Sequence, residues 1–217
     1  MTLPVYVTVK CSVCGKESRQ RVLASTSIFG SPDLDLRPAE LKRSTMHYWV
    51  QECPHCGYVA ERLDQPVPVS REKLEDFLEK YCERRWFSSE LAEQFHKQYW
   101  ISRLKKDHES AFAAALHAAW ACDDAEDRVN AVYCRKCALE ELEQTERGKK
   151  DENAGVQRLD LLRRAGLFDQ VLRESEDLHF EQEVLQKIAD FQAAKAKEKD
   201  AGCYRVEDVL TKKEPAV

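Results

Sequence analysis

The stretch ECPHCGYVA, residues 52–60, decides how the first third of this chain is read. Cys53 and Cys56 are two residues apart, Pro54 enters the turn and Gly57 leaves it. An earlier stretch, Cys11-Ser-Val-Cys14-Gly15, repeats the pattern. Each pair follows a strand-like run and ends on glycine, which permits the positive φ that a tight turn needs. Two such turns facing one another set four thiolates at the corners of a tetrahedron, the closed geometry of a structural Zn2+ site. The expected ligands of a single structural zinc are therefore Cys11, Cys14, Cys53 and Cys56. The intervening 38 residues exceed the spacing of simple ribbons and imply a long internal loop. A redox CxxC needs its first cysteine at a helix N-terminus in a βαβ setting, and neither turn leads into an obvious helix. His55, between two ligands, reads as a solvent-facing turn residue.

Around the turns the chain reads as β. VYVTVK (5–10) alternates and is rich in β-branched residues, RQRVLA (19–24) could pair with it, and HYWVQEC (47–53) is a third strand candidate. SIFGSPDLDLRPAE (27–40) is broken by Gly30, Pro32 and Pro38 and reads as loop, and QPVPVS (65–70) reads as linker. From Ser70 the composition changes to Ala, Leu, Glu, Lys and Arg, which favour helix. Ser70, Ser89 and Asp107 are N-cap candidates, and Asp124 with Asp127 loosely resembles a capping box. TERGKKDEN (145–153) is a polar break, Gly166 suits a turn between helices, and a last amphipathic helix is expected over roughly 178–198. The expected fold class is α+β, mostly α, with a β zinc ribbon at 1–66, antiparallel helical hairpins or an ordinary helical bundle at 70–200 and a flexible tail at 201–217.

The chain has 217 residues, 34% of them charged, and a mean hydropathy of −0.61. No apolar run is long enough to span a bilayer, and MTLPVYVTVKC lacks the basic and apolar regions of a secretory signal. The expectation is a cytoplasmic protein whose nine cysteines are reduced thiols or metal ligands. The net charge of −5 excludes a strongly basic general nucleic-acid binder. Cys134-Arg-Lys-Cys137, with Cys122 nearby, falls in a predicted helix and reads as core packing. Cys82 and Cys203 are isolated.

Three stretches together, CSVCG (11–15), SPDLDLRP (31–38) and HYWVQECPHCGYVA (47–60), resemble an uncharacterised prokaryotic family known only as a domain of unknown function. That family's pattern is a CPxCG turn, a D-x-D-x-R-P-like segment, an aromatic pair and a CPxCGYA turn. Asp33, Asp35, Arg37 and Pro38 match the middle segment, and Tyr48 and Trp49 match the aromatic pair. Ser12 replaces the usual proline, and Val59 displaces the final alanine to Ala60. The resemblance implies tetratricopeptide-like helices after the ribbon, with GLFDQV (166–171) and AAWACDDAEDRVNA (118–131) as candidate repeat turns. It implies no activity.

Three functions are consistent with these features. The first is a non-enzymatic adaptor whose partner is another protein, with Trp86, Phe87, Trp100, Phe112 and Trp120 as candidate anchors. The second is nucleic-acid binding through the ribbon, with Arg19, Arg21, Arg37 and Lys42 meeting phosphates while Tyr48, Trp49 and Tyr58 stack on bases. The third is an enzyme using Asp33, Asp35 and His47. Phosphate-loop, serine-elbow and HExxH motifs are absent from the sequence, so no catalytic residue is assigned.

Overall fold

The computed structural model describes residues 2–82 and 87–210, and Trp86 and the last seven residues lie outside this range. The architecture is mostly α, with a small antiparallel sheet at the start. Strand β1 (Leu3–Lys10) pairs with β2 (Glu17–Ser25) in one two-stranded ribbon. After a long loop, a 3-10 helix (Arg43–Tyr48) leads to the short pair β3 (Gln51–Glu52) and β4 (Val59–Ala60). The segment HYWVQEC is thus a strand only at its end. Its first half curls because Thr45 Oγ1 donates to Lys42 O and accepts from Trp49 Nε1, a local alternative to the sheet ladder.

Nine helices follow among the described residues: α1 (Arg71–Cys82), α2 (Glu90–Leu104), α3 (His108–Asp124), α4 (Arg128–Leu142), α5 (Glu146–Lys150), α6 (Glu152–Arg164), α7 (Phe168–Asp177), α8 (Glu183–Lys197) and α9 (Val206–Leu210). The caps explain most of the starts. Ser89, Asp107 and Asp127 each accept a bond from the backbone N–H three residues on. Asp124 is not part of the cap; it is the last residue of α3. The polar break at 145 holds α5, capped by Thr145. The turns α2–α3, α3–α4 and α6–α7 share one pattern, with a left-handed residue after the C-cap at Lys106, Glu126 and Gly166.

One buried cluster runs from Cys11 through Leu63 and Phe95 to Ala196. The change of character at residues 66–70 is therefore a change of secondary structure, while the core continues across it. What joins the two parts is the loop that carries SPDLDLRP. Asp35 is fully buried: its Oδ2 accepts from Trp120 Nε1 of α3 at 2.8 Å and from an Arg164 guanidinium nitrogen of α6 at 2.7 Å. Its backbone carbonyl accepts from Gln157 Nε2 at 2.7 Å. Arg164 also reaches Asp123 at 2.7 Å, and Asp123 pairs with Arg135 of α4. Burial opposes the charge of Arg164, but Asp35, Asp160 and Asp123 together hold its pKa above the ordinary value.

The expected tail is different over 201–210. Leu34 N–H donates to Tyr204 O, Val206 N–H to Pro32 O and Glu207 N–H to Ser31 Oγ. Residues that look polar and frayed in sequence are held by hydrogen bonds to the loop and by Tyr204, Val206 and Val209 packing against the core. Removal of the Asp35 carboxylate by Asp35→Ala should cost about 3 kcal/mol, because Arg164 is left buried with fewer counter-charges. Urea unfolding measures that loss, and bound metal should stay unchanged in the folded variant.

Candidate metal centre and adjoining cleft

Both CxxC turns are built by the same hydrogen bonds. Cys11 N–H donates to Lys16 O at 2.9 Å and Gly15 N–H to Cys11 O at 2.9 Å. In the second turn Cys53 N–H donates to Tyr58 O at 2.8 Å and Gly57 N–H to Cys53 O at 2.9 Å. Gly15 and Gly57 sit at φ of 72° and 70°, where a Cβ would be strained. The backbone N–H groups of Val13 and Cys14 face Cys11 Sγ, and that of Tyr58 faces Cys56 Sγ.

The four sulfurs lie within 4.8 Å of one another. Cys11 Sγ is 3.8 Å from Cys56 Sγ, and Cys14 Sγ is 3.7 Å from Cys53 Sγ. A tetrahedron with Zn–S of about 2.3 Å has edges of about 3.8 Å. Sulfurs at that spacing, none in a disulfide, fit a single tetrahedral metal ion. Burial, then the sulfurs of Cys53 and Cys14, push the Cys56 thiol well above its ordinary pKa. Four thiolates this close repel one another unless a cation neutralises them. His55 is exposed and bonds to Glu17 O at 3.1 Å, apart from the sulfurs.

The remaining candidates are scattered. Arg19, Arg21 and Lys42 are exposed, and Tyr48 and Trp49 are half-buried. Arg19 lies over the Tyr6 ring at 4.2 Å, Arg21 over Tyr48 at 5.0 Å and Lys42 over Trp49 at 5.9 Å. Arg37 and Tyr58 are 5% and 2% exposed, so neither is available to a partner. The Arg37 guanidinium is instead paired with Asp124 at 2.5 Å, and the Tyr58 ring belongs to the core beside the sulfurs. Phe87, Phe112 and Trp120 are also core residues, which removes them as surface anchors. Asp33 is buried against Arg43 at 2.5 Å, and His47 is exposed with its ring tilted against Tyr48, centroids 3.9 Å apart. These groups do not assemble an acid–base site. Cys122, Cys134 and Cys137 are buried in the core between α3 and α4.

A feature that sequence reading missed is a cleft of about 910 Å³ beside the centre. Val7 and Val22 of the hairpin form one wall, Leu36 and Trp49 the next, and Ala114 and His117 of α3 the floor. Alternation puts Val5, Val7, Val9 and Val22 on one hairpin face. Val7, Val9 and Val22 of that face line the cleft, Val9 also packing against the core, while Val5 and Val7 stay exposed. The available signal was this valine alternation in a segment with no matching apolar strand. Gln98 also lines the cleft, and its buried Oε1 has no hydrogen-bond donor.

Mutation of Cys53 to Ser should abolish stoichiometric metal binding and loosen the hairpin, whereas Cys137→Ser should keep one ion per chain. Native mass spectrometry with elemental analysis measures both. Burial, then the charge of Lys42, lowers the His117 pKa from 6.5 to about 4. The unfolded chain therefore takes up that proton first. The stability contribution should be complete above about pH 6.5 and fall as the pH drops towards 4. His117→Gln should flatten part of that slope in denaturation curves, with His96, also held at about 4 by burial, supplying a further part.

Among the described residues no helix is long and apolar enough to cross a membrane. A family model described as "Uncharacterized protein conserved in bacteria (DUF2225)" matches residues 5–201. No curated protein and no solved structure matches the chain. With nearly its whole length covered, and with the paired CxxC turns in place, the chain belongs to this uncharacterised bacterial family.

Proposed function

We propose that this protein is a zinc-stabilised, non-enzymatic interaction module that captures a segment of another protein. The cleft carries the reading. Its lining mixes apolar side chains such as Val7, Val22, Leu36 and Trp49 with Lys42, Glu61, Arg62 and Asp64, and Leu36 stands 48% exposed. Concave surfaces that combine apolar side chains with a few placed polar groups are the usual form of binding sites. Zn2+ held by Cys11, Cys14, Cys53 and Cys56 would fix the base of the hairpin, and a four-sulfur site leaves no position open for substrate. The ion-paired states of Asp33 and Asp35 favour a structural over a catalytic role. Paired helices joined by similar turns serve as the platform, in the manner of tetratricopeptide-like hairpins. A thiolate centre also suits the reducing cytoplasm.

One observation favours nucleic acid as a second reading. Arg19 and Arg21 are exposed, stack on tyrosines and have no carboxylate partner among the described residues. Such pairs suit single-stranded nucleic acid.

A photo-crosslinking residue placed at Leu36, with a control at the exposed Val129 of α4, separates the two. The expected result is one discrete protein adduct from Leu36 alone, unaffected by nuclease and weakened about tenfold or more by Trp49→Ala. Adducts that disappear with nuclease, or that form equally from Val129, would overturn the adaptor reading.

A further inference from the structure

We propose that β1 pairs edge to edge with β1 of a second copy, making a twofold dimer through a continuous four-stranded sheet. This inference rests on the strand edges; Val7 and Thr8 of that edge also line the cleft. The sheet contains only β1 and β2, so each strand has one edge without a strand neighbour among the described residues. The two edges differ in chemistry. β2 reads ESRQRVLAS, with Glu17, Arg19 and Arg21 on alternate positions. Charges of this kind discourage a further strand from adding. β1 reads LPVYVTVK and has no charged side chain before Lys10. Its apolar residues remain in water: Leu3 is 51% exposed and Tyr6 59%, with Val5 and Val7 on either side of Tyr6 also exposed. A lone hairpin is marginal in water, and three or more strands are needed for independent stability.

The register follows from the ladder. Cys11 N–H donates to Lys16 O, and β1 continues in the pairing Val9–Ser18, Val7–Gln20 and Val5–Val22. In an antiparallel pair the hydrogen-bonded positions alternate. The N–H and C=O groups of Tyr6 and Thr8 therefore face away from β2. Placing Val7 on a twofold axis opposite its counterpart sets Tyr6 of each copy against Thr8 of the other. All four groups at each of those two pairings then find partners. Lys10 N–H meets the carbonyl of Pro4, which has no N–H of its own to satisfy. Valines 5, 7 and 9 of both copies share one face, and no like charges stand opposite each other. β1 thus satisfies its own edge in a closed, isologous arrangement, the commonest form of oligomer. This self-complementarity is why a second copy, and not a foreign strand, is assigned to the edge.

The test is sedimentation velocity on the zinc-loaded protein over a dilution series up to about 100 µM, suited to a small interface. Thr8→Pro removes one outward N–H and leaves the hairpin's own ladder intact, a placement that edge strands tolerate. Val7→Lys puts two ammonium groups together on the axis. Arg19→Glu alters only the opposite edge. The expected result is a reversible dimer for the unmodified protein and Arg19→Glu, and at least tenfold weaker association for each of the other two. Zinc content and circular dichroism confirm that each variant is folded; if Thr8→Pro fails to fold, Val7→Lys alone decides. A monomer at the highest concentration, or association unchanged by Val7→Lys, would overturn the proposal, including the case where β1 takes a foreign strand instead.

Discussion

Asp35 lies out of reach of solvent with its carboxylate between Trp120 and Arg164, and much of the molecule is arranged around that contact. An isolated buried carboxylate is costly, and this one is tolerated because α3 and α6 bring donors to it. The donors are themselves fixed. Arg164 extends to Asp123, and Asp123 holds Arg135, so three helices and the SPDLDLRP loop share one chain of charges. Arg37, two residues on, continues it to Asp124. The network sets the position of Leu36 and Pro38, which wall the cleft.

The sulfur centre anchors the same region from the other side. Cys11 and Cys53 are wholly buried and belong to the same apolar cluster as Leu63 and Phe95. A metal there would stabilise a hairpin that has little other packing, since metal binding and folding are coupled in such small β units. The centre and the Asp35 network thus hold the first third of the chain at two points, and Leu36, Pro38 and Trp120 of the network line the cleft.

Much of this was legible in the sequence. The paired CxxC-Gly turns point to the four sulfurs that the structure brings within 4.8 Å of one another, and Ser89, Asp107 and Asp127 mark helix starts by a local hydrogen bond. The DxDxR segment was recognisable as a pattern but not as a core. Its partners are 85 to 129 positions away, and no local rule relates Asp35 to Trp120 or Arg164. The same distance hid the burial of Arg37, which looked like a surface cation. The segment 201–210 was misjudged because its order comes from bonds to residues 31–34 and from Tyr204, Val206 and Val209 docking on a distant core, to which composition is blind. The cleft was illegible for a related reason: it is bounded by elements that meet only in three dimensions.

The closing of residues 203–207 onto Ser31, Pro32 and Leu34 has a consequence for synthesis. Glu207 and Ser31 are 176 positions apart, so the loop meets its last partner only when nearly the whole described chain has been made. The CxxC turns are complete by residue 57 and have everything needed to take up metal early. The DxDxR loop beside them must wait, with its acids in water, for α3, then α6, then Val206. Long-range contacts of this kind slow folding, because chain entropy is lost before they form. A nascent chain would therefore carry a finished metal site next to an unfinished loop for most of its elongation, an interval in which a chaperone or an early partner has access to the bare hairpin.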